Sequence, residues 1–238
     1  MVANIDRWLI THLLFPLLAL CLASICITVG DVDRGLADYF YGIQGNSWAW
    51  KDHWITETFF HRGGRNISLF LLLLLLVFLV ASHFISTLQS LKKPLFYLFL
   101  ATAGSSLLIS CLKALLAVSC PWEFYRYGGD LPYLGVVDQL FQRNGSGCFP
   151  AGQASAGYAW ISCYFFGVYC CSKWRWLGLV LPLIAGSVLG LAQQIRGAHF
   201  ISHDLWSAAI CWFFSLTLFF CFFGAPAKQH VGEVVPCL

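Results

Sequence analysis

Charge is what this chain has least of. Only 11% of its 238 residues are Asp, Glu, Lys or Arg, while 59% are hydrophobic. That balance excludes an ordinary soluble domain, in which apolar residues make up roughly half or less. Linkers, low-complexity tracts and internal repeats are missing too, so residues 1–238 read as a single domain. No cysteine or histidine spacing fits a zinc site, and neither a metal nor another cofactor is expected. Nothing points to nucleic acid as a partner. A small-residue cleavage site is also lacking after the first apolar stretch, where Gly30-Asp31-Val32-Asp33 follows directly. That stretch is therefore expected to be retained rather than removed as a signal peptide.

What the chain does have is long apolar runs. A bilayer span needs about 20 mostly apolar residues. Six segments qualify, at 8–29, 67–88, 95–118, 153–171, 176–194 and 204–223, with the unbroken Leu69 to Val80 run in the second and the fourth the least apolar. The expected fold is all-α, a six-transmembrane helical bundle. Six spans put both termini on one side, which carries Arg7, Lys92, Lys93, Lys173, Arg175 and Lys228 against Asp6 and Glu233. The positive-inside rule makes that side cytoplasmic. In a bacterial inner membrane, the long loops 30–66, 119–152 and 195–203 would then face the periplasm.

Those three loops hold the unusual polar residues. Arg196-Gly-Ala-His199-Phe-Ile-Ser-His203-Asp204 packs an arginine, two histidines and an aspartate into nine residues, just before the last apolar run. Ionisable groups at the mouth of a span mark a functional site. A guanidinium beside an imidazole suits phosphate, one as a planar donor fork and the other as nucleophile or base. A capping or packing pair at i, i+4 is the plain alternative for the histidines. A zinc pair lacks both an intervening Glu and a third ligand.

The loop 30–66 is rich in aromatics (Tyr39, Phe40, Tyr41, Trp48, Trp50, Trp54), as in a short interfacial helix. It ends in His61-Arg62-Gly63-Gly64-Arg65, which reads as a polar turn before the second span or as a close approach to an anion. In the loop 119–152, Pro150-Ala151-Gly152-Gln153 opens the fourth span. It is either a simple helix start or an anion cradle of free backbone N–H groups. Cys120 and Cys148 lie on this outer loop, where an oxidising compartment permits a disulfide. Most of the other cysteines, among them Cys21, Cys26, Cys111, Cys163, Cys170, Cys171, Cys211 and Cys221, fall within spans and are expected to be buried small hydrophobes.

Taken together, Lys113 with Cys120-Pro121, Phe149 to Ser155, and Arg196 to Asp204 resemble the three signature motifs of the type 2 phosphatidic acid phosphatase superfamily. Those motifs are Lys, six residues, Arg-Pro; then Pro-Ser-Gly-His; then Ser-Arg, five residues, His, three residues, Asp. The resemblance covers the six-span layout and all three outer segments, and no single motif matches perfectly. It implies a metal-independent membrane lipid phosphatase. Lys113 would bind phosphate, and Arg126 would stand in for the motif arginine that Cys120 replaces. His199 would be the nucleophile that forms a phosphohistidine. Asp204, or alternatively His203, would hold its tautomer. Arg196, three residues before His199 rather than six, would neutralise phosphate oxygens, helped by the amides near Gly152, and Ser155 belongs to the same phosphate-binding group.

The largest departure is Gln153, where the family has the histidine that protonates the leaving oxygen. Glutamine cannot deliver a proton. Three readings follow: an introduced substitution that slows turnover, a natural variant for a substrate with a good leaving group, or a non-catalytic relative. The implied substrate is a lipid phosphate in the bilayer: lipid A phosphate, undecaprenyl pyrophosphate, phosphatidylglycerophosphate or phosphatidic acid. Phosphoryl transfer to a second lipid is an alternative outcome. So is a non-catalytic lipid-phosphate binding or transport protein.

Overall fold

The computed structural model describes residues 7–170 and 173–224. Asp6, Cys171, Lys228 and Glu233 lie outside them. The described chain is helical, with one isolated backbone bridge between Phe124 and Leu131. Its helices are α1 (Phe15–Val29), α2 (Val32–Ile43), α3 (Gly64–Phe84), α4 (Lys92–Leu116), α5 (Val136–Gln142), α6 (Gly152–Tyr158), α7 (Ser162–Tyr169), α8 (Leu177–Ile195) and α9 (Ile201–Phe223).

The outer surface is apolar, and polar side chains are buried beside an apolar core. Leu, Ile, Val and Phe side chains cover the outer surfaces of α1, α3 and α8, including Leu18, Leu22, Phe70, Leu73, Leu181 and Ile184. The buried set includes Thr102, Ser105, Ser162, Gln193, Arg196, His199, His203, Asp204 and Ser215. A soluble monomer seldom exposes so large a contiguous apolar surface. Five helical stretches are long and apolar enough to cross a membrane: Arg7–Val29, Ile55–Phe84, Ser86–Glu123, Lys173–Ile195 and Ile201–Phe223. The chain therefore has the character of a multi-pass membrane protein.

The segment expected as the fourth span is not among the five. Residues 152–169 are helical throughout, as α6, a tight turn at Ala159–Ile161, and α7. They run through the middle of the bundle, so Gln153, Ala154, Ser155, Ser162 and Phe165 are buried. A helix with protein on all sides can be short, polar and rich in small residues. Gly157 packs on the α8 backbone at Gly186, and Gly186 in turn faces the Tyr158 ring. Small residues at such crossings let the backbones come close.

One boundary differs from expectation for a local reason. Helix begins at Ile55 rather than near 67, because Ile55–Gly63 forms a wide-turn π-helix that continues into α3. The Gly63-Gly64 pair is thus not a turn. A Cβ at Gly64 would run into Leu189 Cδ2 and lie 3.2 Å from Gln153 Nε2, so this glycine makes room first for the Leu189 side chain of α8 and then for α6. The aromatic loop contains α2, whose Asp33 reaches across to the start of α9. There Ser202 donates to it from its backbone N (3.0 Å) and its Oγ (2.6 Å). A carboxylate at a helix N-terminus satisfies free amides and opposes the dipole. Burial nevertheless pushes the Asp33 carboxyl upward, partly opposed by the two Ser202 bonds.

Cys120 and Cys148 form a disulfide with Cα atoms 5.2 Å apart, within the usual range. Most of the described span cysteines do not follow the buried expectation. Cys21, Cys26, Cys111 and Cys221 are exposed on the outer surface, Cys163 and Cys170 are half-buried, and Cys211 is buried. A lipid-facing surface accepts an apolar thiol as readily as a core does.

Candidate functional site

All the site residues lie at one end of the bundle. The start of the Ile55–Phe84 stretch meets the C-terminal end of α4, the start of α6, the end of α8 and the start of α9. A 590 Å³ cavity opens here between α3, α4 and α6. His61 and Arg65 line it from the first stretch, Lys113 from α4, and Gly152, Gln153 and Ser155 from α6. Lys113 lies across the helix start: a Cβ at Gly152 would sit 3.5 Å from its Nζ. The cavity runs along one stripe of α4 through Thr102, Ser106 and Ser110 to Lys113. At 1.5 Å per residue that stripe is about 16 Å long.

Of the expected phosphate ligands, Lys113 and Gly152 are therefore in the cavity wall. Ser155 is there too, with its hydroxyl donated to the Gly152 carbonyl at 2.6 Å. Arg126 is not. Its guanidinium is bidentate on Asp38 of α2, at 2.6 Å for both Nε and Nη2, and Tyr127 Oη donates to the same carboxylate at 2.9 Å. The pair pins the 119–152 loop to α2 at the surface and brings no charge to Lys113. Its hydrogen bond from Arg126 holds the Asp38 carboxyl below the ordinary range.

Arg196 is engaged as well. It is 6% exposed. Nε donates to the Lys51 carbonyl (2.6 Å), Nη1 to Gln193 Oε1 (3.1 Å), and Nη2 pairs with Glu57 Oε2 (2.5 Å). Each nitrogen of the fork has a protein partner. The structure makes Arg196 the anchor of the 51–57 segment rather than a free phosphate ligand.

His199 is buried just beyond the cavity wall. The Lys113 and His61 charges act on it, and its Nδ1 lies 3.4 Å from Nδ1 of His203. The Cys148 backbone lies beside both imidazoles. Burial, first, and then the neighbouring His203 and Lys113 hold the His199 pKa well below 6.5, so the ring is neutral at neutral pH. Asp204 is not its partner. One residue further along α9 turns a side chain by about 100°, and this turn aims Asp204 at α8. There it accepts from Gln194 Nε2 at 2.6 Å, and Gly190 leaves it room: a Cβ on that glycine would come within 2.5 Å of the carboxylate. His203 occupies the place expected for Asp204.

Gln153 spends its amide on backbone. Nε2 donates to the carbonyls of Phe60 (3.2 Å) and His61 (2.7 Å). His61 and Arg65 belong to the segment that the sequence left open as a polar turn or an anion approach. Their spacing of four, extended through Ser68, Leu69 and Leu72, is one face of a helix. That signal becomes visible once helix is allowed to start before the glycine pair.

A second cavity, of 810 Å³, lies between the same first stretch and α8. Its walls are apolar, with Phe59, Ile67, Leu71, Trp160, Leu181 and Leu189 among them, and it shares Ser68 and Ala156 with the polar cavity. Among the described residues, no group of three His, Cys, Asp or Glu is placed to hold a metal ion. What fold and site define is a helical, membrane-type bundle with a cationic cavity at one end and an apolar groove beside it. No family model, curated protein or solved structure matches the chain.

Proposed function

We propose that this chain is a lipid phosphatase of the type 2 phosphatidic acid phosphatase kind, working through a phosphohistidine on His199. The observation that carries the proposal is the shared wall of the two cavities. A pocket lined by Lys113, Arg65, His61 and Gly152 suits a phosphorylated head group, and the apolar groove next to it suits acyl or prenyl chains. The neutral His199 supports nucleophilic attack at phosphorus through Nε2, with Nδ1 turned to His203. Lys113 borders both the cavity and the imidazole, and it stabilises the charge on the phosphoryl oxygens as the bond forms. Phosphate reaches His199 from the cavity past this side chain.

The topology we propose has six passages, with 152–169 as the sixth, enclosed by the other five. Arg7, Lys92, Lys93, Lys173 and Arg175 then gather at the end opposite the site, which puts that end in the cytoplasm and the chemistry on the periplasmic face of a bacterial inner membrane.

The test is phosphate release from phosphatidic acid, phosphatidylglycerophosphate, lipid A and undecaprenyl pyrophosphate in mixed micelles, for the chain and for His199→Ala. Release that disappears in the variant supports the proposal. One observation favours a second reading, as a lipid-phosphate binding or transport protein: the motif position for the proton donor is a glutamine whose amide is committed to backbone. Saturable lipid binding without release from any of the four would establish that reading.

A further inference from the structure

Gln153 cannot protonate a leaving group, yet the site is not without a proton carrier. His61 lines the same cavity as Lys113, Gly152 and Gln153. Its Nδ1 is buried and has no hydrogen-bond partner among the described residues. Its backbone is the very group that Gln153 holds, through the 2.7 Å bond from Nε2 to its carbonyl. The segment before it is fixed from the other side by Arg196, through Glu57 and the Lys51 carbonyl. An imidazole held at two points beside the cavity, with an uncommitted ring nitrogen, is placed for proton transfer.

We infer that His61 is the general acid of this site, and that Gln153 is a positioning residue which holds it there. The inference rests on the phosphatase reading. In the first step the His199 Nε2 lone pair forms the P–N bond, the P–O bond to the lipid breaks, and protonated His61 gives its proton to the departing oxygen. In the second, neutral His61 takes a proton from the water that attacks phosphorus. The P–N bond breaks, phosphate leaves, and both histidines return to their starting states. The charged and titratable groups that act on His61 are Glu57 and Arg65 on its own stretch, Lys113 on α4, and Arg196 and His199 around the α8–α9 turn. A replacement acid at a different point on the wall also explains how position 153 can tolerate glutamine.

The experiment compares two small soluble probes, nitrophenyl phosphate and phenyl phosphate, on the full chain in detergent. Nitrophenolate leaves readily without a proton, whereas phenolate leaves poorly. Loss of a general acid should slow phenyl phosphate by about 10²–10⁴-fold in His61→Ala, while nitrophenyl phosphate falls by less than about tenfold. In His61→Ala/Gln153→His, the donor returns at the motif position and phenyl phosphate hydrolysis should recover. Equal losses on both probes, or no loss on either, would overturn the assignment of His61. A chain that hydrolyses neither probe, or whose activity survives His199→Ala, would instead overturn the phosphatase reading. Gln153→Ala should reproduce the leaving-group dependence in weaker form, because it frees the His61 backbone without removing the ring.

Discussion

Replacing Arg196 with alanine separates two roles that this residue can have. The motif reading makes it a phosphate ligand, and the structure makes it a brace. Arg196 is 7% exposed in its side chain and Glu57 21%, with the two joined at 2.5 Å. Removing one partner of a buried ion pair typically destabilises by about 3–5 kcal/mol. Glu57 keeps some water and a second bond, from Arg62 Nε at 3.0 Å, so the lower end, about 3 kcal/mol, is expected here. At about 2–4 °C per kcal/mol for a chain of this size, the melting temperature should drop by roughly 6–12 °C. Tryptophan fluorescence during a thermal ramp in detergent measures it. Glu57→Gln in the same background should recover part of the loss, because the two residues are in contact and a coupling of about 0.5–3 kcal/mol is typical of such pairs. An unchanged melting temperature together with a large rise in KM for phosphate release would refute the brace and restore the ligand.

Four further outcomes follow from the geometry. Arg126→Ala should leave phosphate release within about twofold of the parent and cost at most about 1 kcal/mol in stability, since the Asp38 pair is half exposed and sensitive to salt; a large rise in KM in a steady-state assay would return Arg126 to the site. Turnover measured for His203→Ala should fall much further than for Asp204→Asn, which should mainly lower the melting temperature by weakening the Gln194 contact; the reverse order would show that Asp204 orients the nucleophile after all. The buried His199 refuses a proton that the unfolded chain accepts from its ordinary value of 6.5 downward. The chain should therefore lose stability as pH falls below that value, by up to about 1.4 kcal/mol per pH unit from this group, and His199→Gln should flatten the pH dependence of the melting temperature. Parallel curves for the two proteins would contradict it. Cys120→Ser/Cys148→Ser opens a loop with a sequence separation of 28 and should lower stability by about 3–4 kcal/mol in the chain-entropy picture, as read from denaturant unfolding; no change would mean that the bond adds nothing to the loop's own packing.

The parts of this molecule legible in the sequence were those written in continuous apolar runs. Leu69 to Val80 announces α3, and the last apolar run announces α9, because lipid demands the same apolar character along the whole exposed face. The helix at 152–169 weakened the pattern for the opposite reason. It touches protein all round, so Gly152, Ser155, Gly157 and Ser162 answer to close packing instead of to lipid. Lys113, Gly152 and Gln153 were found as motif positions, and the structure gathers them in one wall. Arg126 and Asp204 have partners other than those expected, because one-dimensional spacing cannot show a competing partner: Asp38 lies 88 residues from Arg126 in the chain. Gln194 takes Asp204 through the helical rotation that separates it from His203. His61 was legible only as part of a polar turn or an anion approach, because a glycine pair reads as a break, whereas here the helix runs through it and Gly64 makes room for Leu189 of α8 and Gln153 of α6.

A covalent phosphohistidine at His199 is tested most directly by trapping the phosphoenzyme. The chain is mixed with a radiolabelled lipid phosphate, quenched in alkali, where phosphohistidine survives, and digested for mass spectrometry. Label on His199, lost on acid treatment and absent from His199→Ala, is the predicted result. Label on another residue, or phosphate release that proceeds with no labelled protein at any time after mixing, would contradict it.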